Sequence, residues 1–218
     1  MAEKPRRSYG GLSADARRQQ RRARLLEAAT DAIAGGEWRT TTVDKLCSGA
    51  GLNKRYFYEN FADLDEVATA TVDDIADRVR ADTTAALVRT AGEPLDVQAW
   101  AAVEALVHAL VGDPRRGRIL LGGVASSSAL HQHRSAVMNS LTAVLVAHAR
   151  SVHDVELEKD PLAAIAPAFI VGGTADAILA YLDGRADISV EALVTGLATL
   201  WLITGNGAAE VARQRLAD

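Results

Sequence analysis

Between Thr42 and Tyr58 the chain reads Thr-Val-Asp-Lys-Leu-Cys-Ser-Gly-Ala-Gly-Leu-Asn-Lys-Arg-Tyr-Phe-Tyr, and few folds accommodate that order. Val43, Leu46, Cys47 and Ala50 recur at i, i+3, i+4 and i+7, which is one face of a short helix. Thr42, just before them, is a residue type whose side-chain oxygen caps a helix start. Gly51 stands where that helix must turn, and glycine enters the left-handed conformation without a Cβ clash. Asn53 can then cap a second helix, on which Phe57 and Phe61 share a face at i and i+4 and plug a small core. Two short helices around a tight glycine turn make a helix-turn-helix.

With the phenylalanines turned inward, Lys54, Arg55, Tyr56, Glu59 and Asn60 are left facing outward. That is the position from which a recognition helix meets base edges and phosphates. The residues expected at DNA are Thr42, Asn53, Lys54, Arg55, Tyr56, Tyr58 and Asn60. Thr42, Asn53 and Tyr58 would donate to phosphate oxygens. Arg55 is the expected bidentate guanine contact.

Charge supports this only when it is divided. The net charge is −4, but residues 1–62 hold 12 Lys+Arg against 7 Asp+Glu, or +5, leaving −9 on residues 63–218. A basic head on an acidic body points one face at a polyanion. Residues 1–12 form a polar arm with Lys4, Arg6 and Arg7, and a first helix is expected from Ser13 to Ala34. Leu25, Leu26, Ala29 and Ile33 make its core stripe, and Arg17, Arg18, Arg21, Arg22 and Arg24 crowd its first half.

Residues 25–67 resemble the DNA-binding domain of the TetR family of transcriptional regulators. The resemblance rests on Leu25-Leu26-Glu27-Ala28-Ala29, Gly36, Thr41-Thr42-Val43 with Leu46 three residues on, Ala50-Gly51-Leu52, and Tyr58 with Phe61 before an acidic helix start. It implies an operator-binding regulator acting on double-stranded DNA. Two positions depart from the family pattern. Leu64 stands where a phosphate-binding lysine usually opens the fourth helix, and Arg55-Tyr56 replace small residues in the recognition turn. The first shifts phosphate anchoring toward the first helix and the arm; the second implies a distinct operator.

The remainder is expected to be all-α, giving about nine helices in three parts. These are a basic arm (1–12), a helix-turn-helix domain (13–62) and a helical ligand-binding and dimerisation domain (63–218). A helix over 63–89 would span about 40 Å and serve as the lever between head and body. Further helices are expected near 95–111, 115–124, 128–153, 161–183 and 189–204, with Pro167 kinking the fourth of these or marking its true start. The last two are apolar nearly all round, so both their sides should be buried. In a two-fold homodimer, the same pair on a second copy completes a four-helix bundle. Phe169, Gly172, Gly173, Leu197, Leu200 and Trp201 are the expected interface.

Enzymatic constellations are thin, and no enzyme activity, catalytic residue or cofactor is expected. His131 and His133 point to different sides of a helix, and His148 and His153 do little better, so no metal site is expected. Cys47, the single cysteine, sits at a core position and rules out an internal disulfide. No uncharged apolar run reaches the roughly 18 residues of a membrane span, so a cytoplasmic protein without a membrane partner is expected. A small-molecule cavity in the body follows from the family resemblance, with Trp100, His108, Met138, Phe169 and Tyr181 as candidate lining. The many Ala, Val and Leu side chains suggest a largely apolar effector that releases a repressor from a palindromic operator. The rival readings are a helical small-molecule-binding or interaction protein whose head no longer reads DNA, and a non-specific, nucleoid-type DNA binder.

Overall fold

The computed structural model describes residues 13–122, 128–152 and 159–217. The arm over 1–12 lies outside them. Among the described residues the fold is all-α, with nine helices and no strand. Contacts divide the chain into two compact units, Met1–Ala68 and Thr69–Asp218, with the division inside the fourth helix.

In the first unit, α1 (Ala14–Ala34) starts where the Ser13 hydroxyl accepts from the Ala16 amide at 3.0 Å. A 3-10 turn at Trp38–Thr40 leads to α2 (Val43–Ala50) and α3 (Lys54–Tyr58). Leu25, Ala29 and Ile33 of α1, Leu46 and Cys47 of α2, and Phe57 and Phe61 are all buried, as their helical spacing requires. Gly51 has φ +60° and ψ 41°, the left-handed conformation that ends α2. α4 (Leu64–Arg89) opens on reciprocal capping. Asp63 Oδ1 accepts from the Glu66 amide at 2.8 Å, and Glu66 Oε2 accepts from the Ala62 amide at 2.6 Å.

The second unit holds the rest of α4, then α5 (Leu95–Val111), α6 (Pro114–Gly117), α7 (Ser128–Val152), α8 (Leu162–Leu182) and α9 (Val190–Ala217). α9 packs against both α5 and α8. Val103, Val107, Leu110, Leu120, Ile178 and Val194 are buried in this unit.

Three expectations need correcting. The helix expected over 115–124 is α6 followed by a five-residue π-type turn, Arg118–Gly122. At Gly117 a Cβ would lie 2.7 Å from the Leu110 carbonyl oxygen and 2.6 Å from Leu182, so close packing pins the chain there. Pro167 does not mark the start of α8, which runs through it from Leu162. Asp160 Oδ1 fixes that start by accepting from the Leu162 amide at 2.8 Å. Finally, α9 does not stop near 204 but continues through Gly205 and Gly207 to Ala217. Buried Ala209 and Ala212, and Arg215 reaching Asp160 at 3.4 Å, outweigh the roughly 1 kcal/mol that each glycine costs a helix.

The membrane criterion also missed something. Asp176 interrupts the apolar run of α8, yet α8 and α9 are each long and apolar enough to cross a membrane by length and composition.

Candidate nucleic-acid interface and apolar cavity

The helix-turn-helix is built by local hydrogen bonds. Thr42 Oγ1 accepts from the Lys45 amide at 3.3 Å, and Asn53 Oδ1 accepts from the Tyr56 amide at 3.1 Å. Arg24 Nη2 donates to the Gly51 carbonyl at 3.3 Å, tying α1 to the turn. Burial, then the neighbouring Asp44, push the Cys47 thiol above its ordinary range, which keeps it protonated and inert.

The cations of α3 are exposed but not bare. Lys54 Nζ pairs with Asp44 at 2.9 Å, and this hydrogen bond raises the lysine's pKa above its ordinary value. The Arg55 side chain is 84 % exposed, and its Nε donates to Glu59 at 3.0 Å, one helical turn on. Arg21 of α1 reaches the same Glu59 at 3.3 Å. Thr42, Asn53, Lys54, Arg55 and Tyr58 all lie on accessible surface.

Two of the residues expected at DNA are less outward than their spacing implied. Tyr56 is half-buried, with the Arg21 guanidinium 4.4 Å over its ring. Asn60 is half-buried too; its Nδ2 donates to the Tyr56 carbonyl at 2.7 Å, and its Oδ1 is buried without a partner. Arg21 was assigned no specific role by its spacing, because its partners on α3 are more than thirty positions away. At Leu64 the start of α4 carries Asp65 and Glu66, so its dipole is already complemented by acid.

The second unit holds a partly open apolar cavity of about 250 Å³. Of the five residues expected to line it, Met138 does. Tyr181 is half-buried elsewhere, His108 is exposed, and Trp100 and Phe169 are 44 % and 67 % exposed. Size and polarity alone could not say which side of a helix faces inward. Trp201, expected at a dimer interface, is half-buried and lines the cavity, and its Nε1 donates to Thr174 Oγ1 at 2.8 Å.

The interface expectations also divide. Leu197 is 4 % exposed and belongs to the protomer's own core. Phe169, Gly172, Gly173 and Leu200 are exposed, and so are Ile165 and Ile203. Their spacing of three or four from Phe169 and Leu200 was the available signal. Among the described residues, and apart from the backbone of α8 itself, nothing comes within 4 Å of where a Cβ would sit on Gly172 or Gly173. His133 Nε2 lies 2.8 Å from Asp73 Oδ1 rather than beside another imidazole. The His131 side chain and His153 lie outside the described residues.

No family model matches the chain, and no curated protein does. Solved structures do. A transcriptional regulator from Pseudomonas aeruginosa PAO1 superposes with a TM-score of 0.72 at 20% identity, covering 90% of this chain and 94% of that one. A structure described as a TetR-family transcriptional regulator from Syntrophomonas wolfei gives 0.70 at 13% identity, over 87% and 96%. The fatty acid degradation regulator FadR from Bacillus halodurans gives 0.67 at 15% identity, over 84% and 94%. The chain has the TetR-like fold.

Proposed function

We propose that this TetR-like chain is a DNA-binding transcriptional regulator, working in the cytoplasm as a homodimer. The observation that carries the reading is the doubly capped α2–Gly51–α3 unit, which presents Lys54 and Arg55 at accessible surface. Two copies of α3 would enter successive major grooves of a pseudo-palindromic operator, about 34–36 Å apart. Thr42 and Tyr58 would donate to phosphates, and Arg55 would read a guanine after exchanging Glu59 for the base. The exposed apolar faces of α8 and α9, with Ile165, Phe169, Leu200 and Ile203, support a four-helix interface with a second copy.

The cavity in the second unit supports a small-molecule effector of largely apolar character. Effector binding would weaken operator affinity through α4, the helix that continues from one unit into the other. A coupling of about 1–3 kcal/mol loosens binding roughly 5- to 150-fold, enough to relieve repression.

Operator selection with the purified full chain tests this reading. A discrete palindromic sequence should emerge and should outcompete random DNA at physiological salt. Salt-dependent binding with no preferred sequence would replace the regulator with a non-specific binder. No binding to any DNA would leave a helical small-molecule-binding protein.

A further inference from the structure

Glu59 follows the last residue of α3 and carries the only carboxylate in the stretch 51–62. An acid on a surface that meets DNA is repelled by phosphate, so its presence there calls for a donor to answer it. Within the chain, its two oxygens have different partners. Oε1 accepts from Arg55 Nε at 3.0 Å, and Oε2 accepts from Arg21 Nη2 at 3.3 Å.

Those arginines differ in their freedom to leave. The Arg55 side chain is exposed, and its one partner among the described residues is Glu59. The Arg21 side chain is largely buried, its Nε without accessible surface and its guanidinium stacked over the Tyr56 ring. When Arg55 exchanges Glu59 for a guanine, Oε2 therefore stays on Arg21 and only Oε1 is vacated. The carboxylate is then held in place, with one oxygen unpaired and turned toward the groove that Arg55 has entered. A desolvated acceptor left so is costly unless a base supplies a donor.

The major groove offers two such donors, the N4 amino group of cytosine and the N6 amino group of adenine. Adenine sets its N7 acceptor beside N6, where it opposes a carboxylate; cytosine has no acceptor there. Guanine and thymine present acceptors only. Four residues of helix cover about 6 Å, against about 3.4 Å for a base step, so the donor lies roughly one or two base pairs from the guanine.

We propose that Glu59 is a specificity-determining residue of the recognition helix. It accepts from the N4 amino group of a cytosine roughly one or two base pairs from the guanine read by Arg55, while Arg21 holds the carboxylate. This rests on the regulator reading above and on Arg55 as the guanine reader.

The experiment uses the full chain and the operator recovered by selection. Each cytosine is replaced in turn by 2-pyrimidinone, which lacks only the exocyclic amine, and affinity is read by fluorescence anisotropy. For the parent protein, one cytosine within about two base pairs of the guanine that Arg55→Ala relaxes should lose about 10-fold or more in affinity. That is the size of one hydrogen bond to a charged group. Glu59→Ala should bind the substituted and unsubstituted operators alike, yet keep the guanine preference. Glu59→Gln should move the preference at that position from cytosine toward adenine, whose N6 and N7 suit an amide.

The proposal is overturned if no cytosine near that guanine is sensitive, or if Glu59→Ala or Glu59→Gln leaves the cytosine preference as it is. It is also overturned if Glu59→Ala erases the guanine preference, since Glu59 would then only orient Arg55. A discrete operator without the cytosine effect sinks this proposal alone. The absence of any discrete operator sinks the regulator reading with it.

Discussion

The guanidinium of Arg21 in α1 lies 4.4 Å above the ring of Tyr56 in α3, while its Nη2 reaches Glu59 at 3.3 Å. One arginine thus holds α3 by a face and by a charge. A cation–π contact of this kind contributes about 0.5–1 kcal/mol. Arg21→Ala and Tyr56→Leu should therefore show coupling of about that size in a double-mutant cycle read by urea unfolding. Strictly additive effects would mean that the stacking is incidental.

Arg55 should behave differently, because it is exposed and its one partner among the described residues is Glu59. Arg55→Ala should relax preference at a single operator position by about 1–3 kcal/mol in a panel of substituted operators. Uniform weakening across the panel would reduce Arg55 to a phosphate contact.

The two caps organise the reading helix before any DNA arrives. Thr42→Ala and Asn53→Ala should each cost about 1 kcal/mol in chemical unfolding, with Asn53→Ser retaining most of the stability. A loss well below this at both positions would show that packing alone holds the motif.

Leu197 and Leu200 stand three residues apart on α9, yet one is 4 % and the other 58 % exposed. Leu200→Glu should give folded monomers by light scattering, whereas Leu197→Ala should cost about 2–5 kcal/mol as a core cavity. An intact dimer in Leu200→Glu would remove the α8–α9 face from the interface.

Asp113 caps α6, and its hydrogen bond from Arg115, at 2.8 Å, holds its carboxyl below the ordinary carboxylate range. The folded state therefore binds this proton less readily than the unfolded state. The stability it contributes is complete above the unfolded-state pKa and is lost as pH falls through the folded-state value. Urea midpoints followed into acid should fall less steeply for Asp113→Asn than for the parent. Parallel curves would show that Asp113 does not carry this part of the acid sensitivity.

The helix-turn-helix was legible because its determinants are local. Thr42, Gly51 and Asn53 each act on backbone within three or four residues, so type and spacing specify geometry. Pairings made at a distance were not legible. Nothing near Arg21 in sequence announces Tyr56 and Glu59, and the half-burial of Tyr56 and Asn60 follows from packing around α3.

By itself, then, the sequence determined an all-helical chain, the capped turn and its inward phenylalanines, through periodicity and short-range hydrogen bonding. Tertiary structure alone decided the orientation of the apolar helices. α8 and α9 carry too little polarity to distinguish one face from another, so only packing against α5 and against each other turned Leu197 and Trp201 inward and left Phe169 and Leu200 exposed. The same packing formed the apolar cavity of the second unit.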